Sequence, residues 1–166
     1  KRIIIVGKAA SGKDYLRQIL QELGLKYAVT YTTRPFREGE RHGVDYMFIS
    51  EEEGKRLVAE DKFYEHVRFN DWLYGTTKDQ FYEDEVFIMT PKGLSHLATE
   101  DRDQSLVLYV DIKEIIRKER LLNREMPGDS LERRVEADRK DFENFKDFDV
   151  RIYNPDFTEA DVIGLL

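Results

Sequence analysis

The stretch K-R-I-I-I-V-G-K-A-A-S-G-K-D-Y-L at the start of the chain restricts the fold more than any other segment. Residues 3–6 are a run of apolar β-branched side chains, which is typical of a strand buried on both faces of a parallel sheet. Residues 7–13 follow with the spacing G-x-x-x-x-G-K, and apolar residues then recur at helical spacing from Leu16 to Leu23. A buried strand, a glycine-rich loop and an amphipathic helix in this order predict an α/β fold with a nucleotide-phosphate site.

Residues 7–13, here called the phosphate loop, are expected to wrap around the phosphates of a nucleotide. Glycine lets the backbone curl closely, so that several N–H groups and the positive end of the following helix point at one anion. Lys13 is expected to reach the β- and γ-phosphates with its mobile charge. The nucleotide-binding residues predicted at this loop are Gly7, Lys8, Ala9, Ala10, Ser11, Gly12, Lys13 and Asp14.

Asp14 stands directly after the loop lysine, where a Ser or Thr hydroxyl usually holds a Mg²⁺ ion. Two interpretations stay open for this carboxylate. It can bind Mg²⁺ itself, because hard cations prefer oxygen ligands. It can also be a solvent-facing acid that the helix macrodipole favours at a helix N-terminus. Asp14 is therefore the candidate metal ligand of a Mg²⁺-dependent site.

Composition excludes several classes of protein. The chain has 166 residues, which suffices for one buried core and is too short for two ordinary domains. Its net charge of -7 argues against a nucleic-acid partner, because such proteins usually present a basic face. Cysteine is absent, so a disulfide or a zinc–cysteine site is impossible. The apolar run at residues 3–6 is too short for a signal peptide or a membrane span, so we expect a cytoplasmic protein without membrane contact.

Strands and helices are predicted to alternate along the rest of the chain, which argues for a mainly parallel central sheet flanked by helices. Residues 72–76 are predicted as a turn. Strands are expected at residues 27–32, 46–49, 63–69, 86–89, 106–110 and 150–153, and helices at residues 51–60, 92–98, 113–123, 131–145 and from 159 onward, with Ser50, Ser130 and Thr158 as N-caps.

The segment at residues 30–48, T-Y-T-T-R-P-F-R-E-G-E-R-H-G-V-D-Y-M-F, carries Arg34, Arg37 and Arg41 within eight residues. The planar guanidinium fork binds phosphate through paired, charge-assisted hydrogen bonds. By composition alone, a solvated surface is the alternative. A carboxylate in an apolar strand, Glu65, and the sequence Y-G-T at residues 74–76 add polar groups typical of a ligand pocket.

Taken together, T-T-R-P-x-R-x-G-E-x-x-G-x-D-Y-x-F, then F-Y-E and Y-G-T, resemble the guanylate kinase family, and the resemblance extends from Gly7 to about Asn154. It implies a P-loop kinase that phosphorylates GMP or dGMP with ATP and Mg²⁺. It also implies a single domain at residues 1–166. The core would comprise residues 1–29 and 77–166, with a GMP-binding insert at about 30–76 and a helical lid at about 118–138.

The resemblance assigns residues to the acceptor by position. Family members matching Arg34, Arg37, Tyr46 and Tyr74 hold the GMP phosphate, and those matching Glu65 and two threonine hydroxyls read guanine. The chemistry agrees, because one carboxylate can accept both the N1–H and the N2–H₂ of guanine, whereas adenine presents an acceptor at N1. The GMP-binding residues predicted in this way are Thr30, Arg34, Arg37, Tyr46, Glu65, Tyr74, Gly75, Thr76 and Thr90.

Three further arginines match the lid and its edge. The family residue matching Arg120 flanks the adenine of ATP, while those matching Arg124 and Arg134 reach the phosphates. Asn154 matches a late asparagine near the adenine. The predicted catalytic residues are therefore Lys13, Arg124 and Arg134. Other polar residues are expected on helix faces or at the surface, namely Arg117, Arg133, Arg139, His42, His66 and His96.

The chain departs from the family pattern at three places. Ala10 replaces a glycine that the family often has in the loop, and Asp14 replaces the Ser or Thr. Ile88 and Thr90 stand where the family has two aspartates in the pattern D-x-D-x-x-G, one of which helps to bind guanine and to order the metal shell. We hypothesise that Asp14 takes over part of the work of these aspartates around Mg²⁺.

Two other functions stay open. Ribose 1,5-bisphosphate kinases resemble the family and can carry G-K-D in the loop, although an acceptor without a base gives Glu65 and Thr76 no purpose. A non-catalytic guanylate kinase-like module that binds phosphopeptides is the other alternative. Lys13 argues against such a module, and the missing aspartates argue for it. The preference between GMP and dGMP and the oligomeric state are not indicated by the sequence.

Overall fold

The computed structural model describes residues 1–124 and 130–166. The strands in these ranges are β1 (Arg2–Gly7), β2 (Tyr31–Thr32), β3 (Met47–Phe48), β4 (Phe63–Phe69), β5 (Trp72–Thr77), β6 (Val86–Ile88), β7 (Ser105–Val110) and β8 (Val150–Ile152). The helices are α1 (Lys13–Glu22), α2 (Glu51–Ala59), α3 (Lys78–Glu83), α4 (Pro91–Ser95), α5 (Thr99–Asp103), α6 (Glu114–Leu122), α7 (Leu131–Asp141) and α8 (Glu159–Leu165).

The central sheet has the strand order β6-β1-β7-β8, and all of its strands run parallel. Ile4 and Ile5 of β1 are fully buried, because the side chains of this strand alternate between two covered faces. One face packs against α1 and α8, and the other packs against α3 and α4. The α/β fold predicted from the sequence is therefore confirmed. It places the phosphate loop at the carboxyl edge of the sheet, where ligands bind in open α/β folds.

The remaining four strands form a second sheet, with the order β3-β2-β5-β4. Strands β4 and β5 are an antiparallel hairpin, β2 pairs antiparallel with β5, and β3 pairs parallel with β2. Glu65 of β4 lies opposite Thr76 of β5, and Thr32 of β2 lies opposite Tyr74 of β5. The pairing thus gathers four of the nine predicted GMP-binding residues on two adjacent strands, namely Glu65, Tyr74, Gly75 and Thr76.

The turn predicted at residues 72–76 is wrong, because these residues belong to strand β5. The chain reverses instead at Asn70 and Asp71, whose positive φ angles of 53° and 65° suit short polar side chains in a tight turn. Gly75 suggested a turn, but its role is different. A Cβ at this position would come within 2.8 Å of the Phe63 ring, so glycine lets the two strands pack closely.

Shorter elements account for the other differences from the prediction. The strand expected at residues 27–32 is reduced to Tyr31–Thr32, with one isolated bridge from Tyr27 to Val86. Helices α3 and α5 are absent from the sequence-based prediction. The N-caps predicted at three helices are confirmed, since each side chain accepts a hydrogen bond from a backbone N–H in the first turn: Ser50, Ser130 and Thr158.

The predicted lid at about residues 118–138 is described in part. It includes the end of α6 and most of α7, whereas residues 125–129 lie outside the described residues. In the described part of the chain, every helix is too short or too polar to cross a membrane.

Candidate active site

The phosphate loop connects the end of β1 to the start of α1. Ala10 and Gly12 have positive φ angles of 60° and 102°, so the backbone curls back on itself. Gly7 has no space for a side chain, because a Cβ there would lie 2.6 Å from Ser11 Oγ and 2.9 Å from the Val110 carbonyl oxygen. Ser11 Oγ is buried and has no hydrogen-bond partner among the described residues. A tightly curled backbone with an unpaired polar group is the geometry expected for phosphate binding.

Lys13 folds across the loop and donates hydrogen bonds from Nζ to the carbonyl oxygens of Gly7, at 2.5 Å, and Lys8, at 3.1 Å. Burial, together with the positive charges of Arg134 and Arg124, lowers the pKa of Lys13 to about 8. The three predicted catalytic cations therefore converge on the loop from distant parts of the sequence. Their mutual repulsion makes the loop a strong site for a polyanion.

Arg120 ties α6 to the phosphate loop. Its guanidinium donates to the carbonyl oxygen of Ala10 at 2.8 Å and to that of Pro155 at 3.5 Å. Asn154 is exposed beside this contact, and its Oδ1 accepts a hydrogen bond from the N–H of Asp156 at 2.9 Å. Arg120 thus contacts both the phosphate loop and the residue that follows Asn154, and their place near an adenine stays a prediction.

A buried ion pair supports the loop, and the sequence did not reveal it. Asp138 of α7 accepts a hydrogen bond from the N–H of Ala9 at 2.9 Å, and its carboxylate lies 3.9 Å from the Arg117 guanidinium. Arg117 is only 3% exposed and also donates to the carbonyl oxygen of Ile112. The prediction of Arg117 as a helix-face residue is therefore wrong. The spacing along the two helices could have indicated these residues, because Arg117 lies one turn before Arg120 and Asp138 lies one turn after Arg134.

Replacing Asp138 by Asn is expected to lower the free energy of unfolding by about 3 kcal/mol, because it leaves the Arg117 charge buried without a counter-ion. The amide oxygen can still accept from Ala9, so the effect isolates the charge. Urea unfolding followed by circular dichroism measures the change. The matched control is Asp141→Asn, an exposed carboxylate on the same helix, which is expected to change stability by less than about 0.5 kcal/mol. Equal effects of the two variants would contradict the proposed ion pair.

Arg34 follows strand β2 and is buried, with 5% exposure. Its guanidinium forms a two-pronged pair with Glu40, at 2.9 and 2.6 Å, and lies 5.0 Å from the centroid of the Tyr46 ring. Glu40 also accepts from the N–H of Arg37 at 2.9 Å. Although burial alone would raise it, these hydrogen bonds hold the pKa of Glu40 below its ordinary value. Glu40, which was not predicted as a site residue, thus fixes the orientation of Arg34.

Two tyrosine hydroxyls complete this anion site. The rings of Tyr46 and Tyr74 lie 5.9 Å apart between centroids. Burial raises the pKa of both hydroxyls, so both stay protonated and can donate to a phosphate. Arg37 is half-buried near the same groups. Arg41, in contrast, is exposed and its N–H donates to Asp45, so the structure separates it from the cluster.

Glu65 of β4 lies beside Gly93 of α4 and is 6% exposed. Burial raises its pKa to about 7, and a hydrogen bond from Thr76 partly offsets that effect. A Cβ on Gly93 of α4 would lie 2.7 Å from Glu65 Oε2, so glycine makes the space that the carboxylate occupies. A buried carboxylate with free lone pairs suits a ligand that offers adjacent N–H donors.

Two predicted guanine contacts are engaged elsewhere. Thr90 is the N-cap of α4, where its Oγ1 accepts from the N–H of Gly93 at 3.0 Å. Thr30 precedes β2, and its hydroxyl shares a hydrogen bond with Tyr27. Thr90 still lies beside Glu65 through their common neighbour Gly93. Thr30 has no described contact with Glu65 or Thr76.

Asp14 lies in the first turn of α1, and its side chain is 83% exposed, with the Arg17 Nε at 3.5 Å. No group of three or more acidic or histidine side chains suited to a metal is found in residues 1–124 and 130–166. A single exposed carboxylate beside a phosphate loop nevertheless fits Mg²⁺, which commonly binds through one or two carboxylates, substrate phosphates and water. Ile88, at one of the positions lacking an aspartate, packs against the core.

Comparisons with known proteins agree with this geometry. Residues 1–162 match the family model for guanylate kinase. The chain is 32% identical over 167 residues to a guanylate kinase of Legionella pneumophila (strain Paris), covering 95% of this chain and 79% of that protein. It is 29% identical over 178 residues to a guanylate kinase of Homo sapiens, covering 95% and 87%.

The crystal structure of guanylate kinase from Anaplasma phagocytophilum has a TM-score of 0.72 to this chain, covering 99% of this chain and 81% of that one. Its sequence identity of 17% means that this likeness shows a shared fold. The match of the family model over nearly the whole chain confirms the family predicted from the residues. The chain belongs to the guanylate kinase family.

Proposed function

We propose that the chain transfers the γ-phosphoryl group of ATP, bound with Mg²⁺, to the phosphate of GMP or dGMP. The observation that carries this proposal is the buried Glu65 carboxylate on the same sheet as the anion site made by Arg34, Tyr46 and Tyr74. A base with adjacent donors and a phosphate on the same molecule would satisfy both. Guanine nucleotides combine these two features.

The donor phosphates would lie in the phosphate loop. There they would replace the carbonyl oxygens of Gly7 and Lys8 as hydrogen-bond acceptors of the Lys13 ammonium. Arg134 and Arg124 would neutralise charge on the migrating group, and Arg120 would border the adenine with Asn154. A general base is not needed, because phosphoryl transfer depends mainly on alignment and charge neutralisation. The acceptor phosphate oxygen is already a nucleophile.

Asp14 is the residue that would hold Mg²⁺, together with phosphate oxygens and water. When bound, the ion supplies positive charge to the β- and γ-phosphates. The exposed carboxylate next to Lys13 supports this role. We further propose that the second sheet is the GMP-binding unit at about residues 30–76 and that residues 118–138 act as the lid. Because the reaction consumes ATP, we place the protein in the cytoplasm.

The proposal predicts that ATP affinity falls by about tenfold between about pH 7 and about pH 9, because the Lys13 ammonium binds phosphate and its pKa lies near 8. Below this pKa Lys13 carries its proton and its positive charge, and above it the charge is lost, so the affinity for ATP falls as the pH rises. An ordinary lysine would keep its charge over this range. Isothermal titration calorimetry with ATP–Mg²⁺ measures the profile. In the Lys13→Arg control the dependence should vanish, and a flat wild-type profile would contradict the assignment.

An acceptor panel tests the proposed substrate. ADP release is measured by a coupled assay with ATP–Mg²⁺ and GMP, dGMP, AMP, dTMP or ribose 1,5-bisphosphate. Turnover restricted to GMP or dGMP is the expected result. Turnover of the sugar bisphosphate alone would transfer the assignment to that class of kinase. A folded protein without turnover on any acceptor would instead favour a phosphopeptide-binding module.

A further inference from the structure

Phe69 of the second sheet contacts helix α7, although it belongs neither to the arginine-rich segment at residues 30–48 nor to the phosphate loop. It is the last residue of β4, at the tip of the β4–β5 hairpin, and it is half-buried. The guanidinium of Arg134, from α7, lies 4.8 Å from the centroid of its ring, and that of Arg133 lies at 5.4 Å. Both distances fall in the range of cation–π contacts. An aromatic side chain of one sheet thus supports an arginine of a distant helix.

The same ring continues into the anion site of the second sheet. Phe69 packs edge-on against Tyr74, with centroids 6.4 Å apart, and Tyr74 packs in the same way against Tyr46, at 5.9 Å. Arg34 lies over Tyr46 at 5.0 Å. An unbroken series of side-chain contacts therefore runs from the arginine at one anion site to the arginine at the other.

Arg134 needs such support because it lies close to another cation. Its charge is the strongest electrostatic influence that lowers the pKa of Lys13, and Arg124 acts in the same direction. Asp138 and Asp14 oppose them from α7 and α1. Without a bound phosphate, repulsion between Arg134 and Lys13 would push the guanidinium away from the loop. The electron-rich face of Phe69 offers an attraction that holds it there.

We propose that Phe69 is a positioning residue that holds Arg134 toward the phosphate loop and makes its position depend on occupancy of the Arg34–Tyr46–Tyr74 site. This inference rests on the proposed function for the identity of the two ligands. A phosphate that orders Tyr74 also restricts Phe69, and through it Arg134. The contact therefore acts on the position of Arg134 during phosphoryl transfer, and so on kcat more than on the KM for GMP.

Phe69→Leu keeps an apolar side chain and removes the π face, whereas Phe69→Trp keeps the π face. In Phe69→Leu, kcat is expected to fall about tenfold with the KM for GMP changed less than about twofold. Phe69→Trp is expected to retain kcat within about threefold of wild type. Tyr82→Leu removes an exposed aromatic ring from α3 and serves as the control, with kcat unchanged.

A double-mutant cycle with Arg134→Ala decides whether Phe69 acts through Arg134. Phe69→Leu should have little effect when Arg134 is already absent, because the two side chains form one contact. A full tenfold loss in the Arg134→Ala background, or equal losses in the Leu and Trp variants, would overturn the proposal. Thermal unfolding of each variant separates a folding defect from a loss of positioning.

A binding readout keeps this inference separate from the identity of the acceptor. If Phe69 holds Arg134 toward the phosphate loop, ATP affinity measured by calorimetry without an acceptor should fall about threefold in Phe69→Leu and be retained in Phe69→Trp. Unchanged ATP affinity in Phe69→Leu would overturn the positioning role even if kcat fell. If the wild type failed to phosphorylate GMP but showed this difference between the two variants, the proposed function would fail and the positioning role would stand.

Discussion

Glu65→Gln is expected to lower kcat/KM for GMP by about 10³-fold while the affinity for ATP changes by less than about twofold. The carboxylate can accept two N–H donors of guanine at once, whereas an amide offers one acceptor and turns a donor toward the base. Because Glu65 is buried, water does not compensate for the mismatch. The phosphate loop is built from other elements, so ATP binding should be spared.

The pH dependence of the same residue provides a second line of evidence. With a pKa of about 7, Glu65 gains its charge as the pH rises from about 6 to about 8, and the KM for GMP should fall across that window. Part of this dependence comes from the second ionisation of the GMP phosphate. The part of the pH dependence that is due to Glu65 is the part that disappears in Glu65→Gln.

The control for Glu65→Gln is Glu51→Gln, at an exposed carboxylate of α2 that pairs with Arg68. It should leave both substrates unaffected. Steady-state kinetics with each substrate varied in turn, and calorimetric titration of ATP, supply the numbers. A Glu65→Gln enzyme that loses GMP and ATP equally would show that the carboxylate stabilises the fold rather than reads the base.

Arg134→Ala is expected to lower kcat by about 10³-fold, with a small change in the KM for GMP. The guanidinium lies near Lys13 at the loop, where negative charge moves during phosphoryl transfer. Two features hold it there. Asp138 fixes the next turn of α7 to the loop through Ala9, and Phe69 supports the guanidinium from the second sheet. Arg134→Lys keeps the charge and loses the planar fork, so an intermediate loss of about 10²-fold is expected.

Arg139→Ala is the matched control for Arg134→Ala, because Arg139 lies on the same helix, is exposed and pairs with Glu114. Its kcat should stay within about twofold of wild type. Single-turnover kinetics separate the chemical step from product release. A decrease of less than tenfold in Arg134→Ala would remove this arginine from the set of catalytic residues.

The sequence predicted the parts of this molecule that local pattern determines. The buried strand, the loop and the helix after it follow from residues 3–23, and the arginine signature marks Arg34 and Tyr46 directly. The error at residues 72–76 comes from a contact that lies outside the segment. Glycine is common in turns, but Gly75 is needed because the Phe63 ring across the hairpin leaves no space for a side chain. That contact cannot be recognised from residues 72–76 alone.

The residues that the sequence missed act through contacts between distant segments. Asp138 meets Ala9 across 129 positions, and Phe69 meets Arg134 only when the hairpin and α7 are placed together. Glu40 belongs to the recognised signature, yet its pairing with Arg34 becomes evident only in three dimensions. Asp14 is the opposite case, because its position in the sequence already predicts a metal ligand. Its exposed side chain supports that hypothesis, but the structure adds no further ligand to it.

The central claim is that the chain converts GMP and ATP to GDP and ADP, and product analysis tests it most directly. Wild-type protein is incubated with ATP–Mg²⁺ and GMP, and the nucleotides are separated by anion-exchange chromatography. We expect GDP and ADP in equal amounts, with neither formed when GMP is replaced by AMP. ADP without GDP, or GDP formation that survives both Glu65→Gln and Arg134→Ala undiminished, would contradict it.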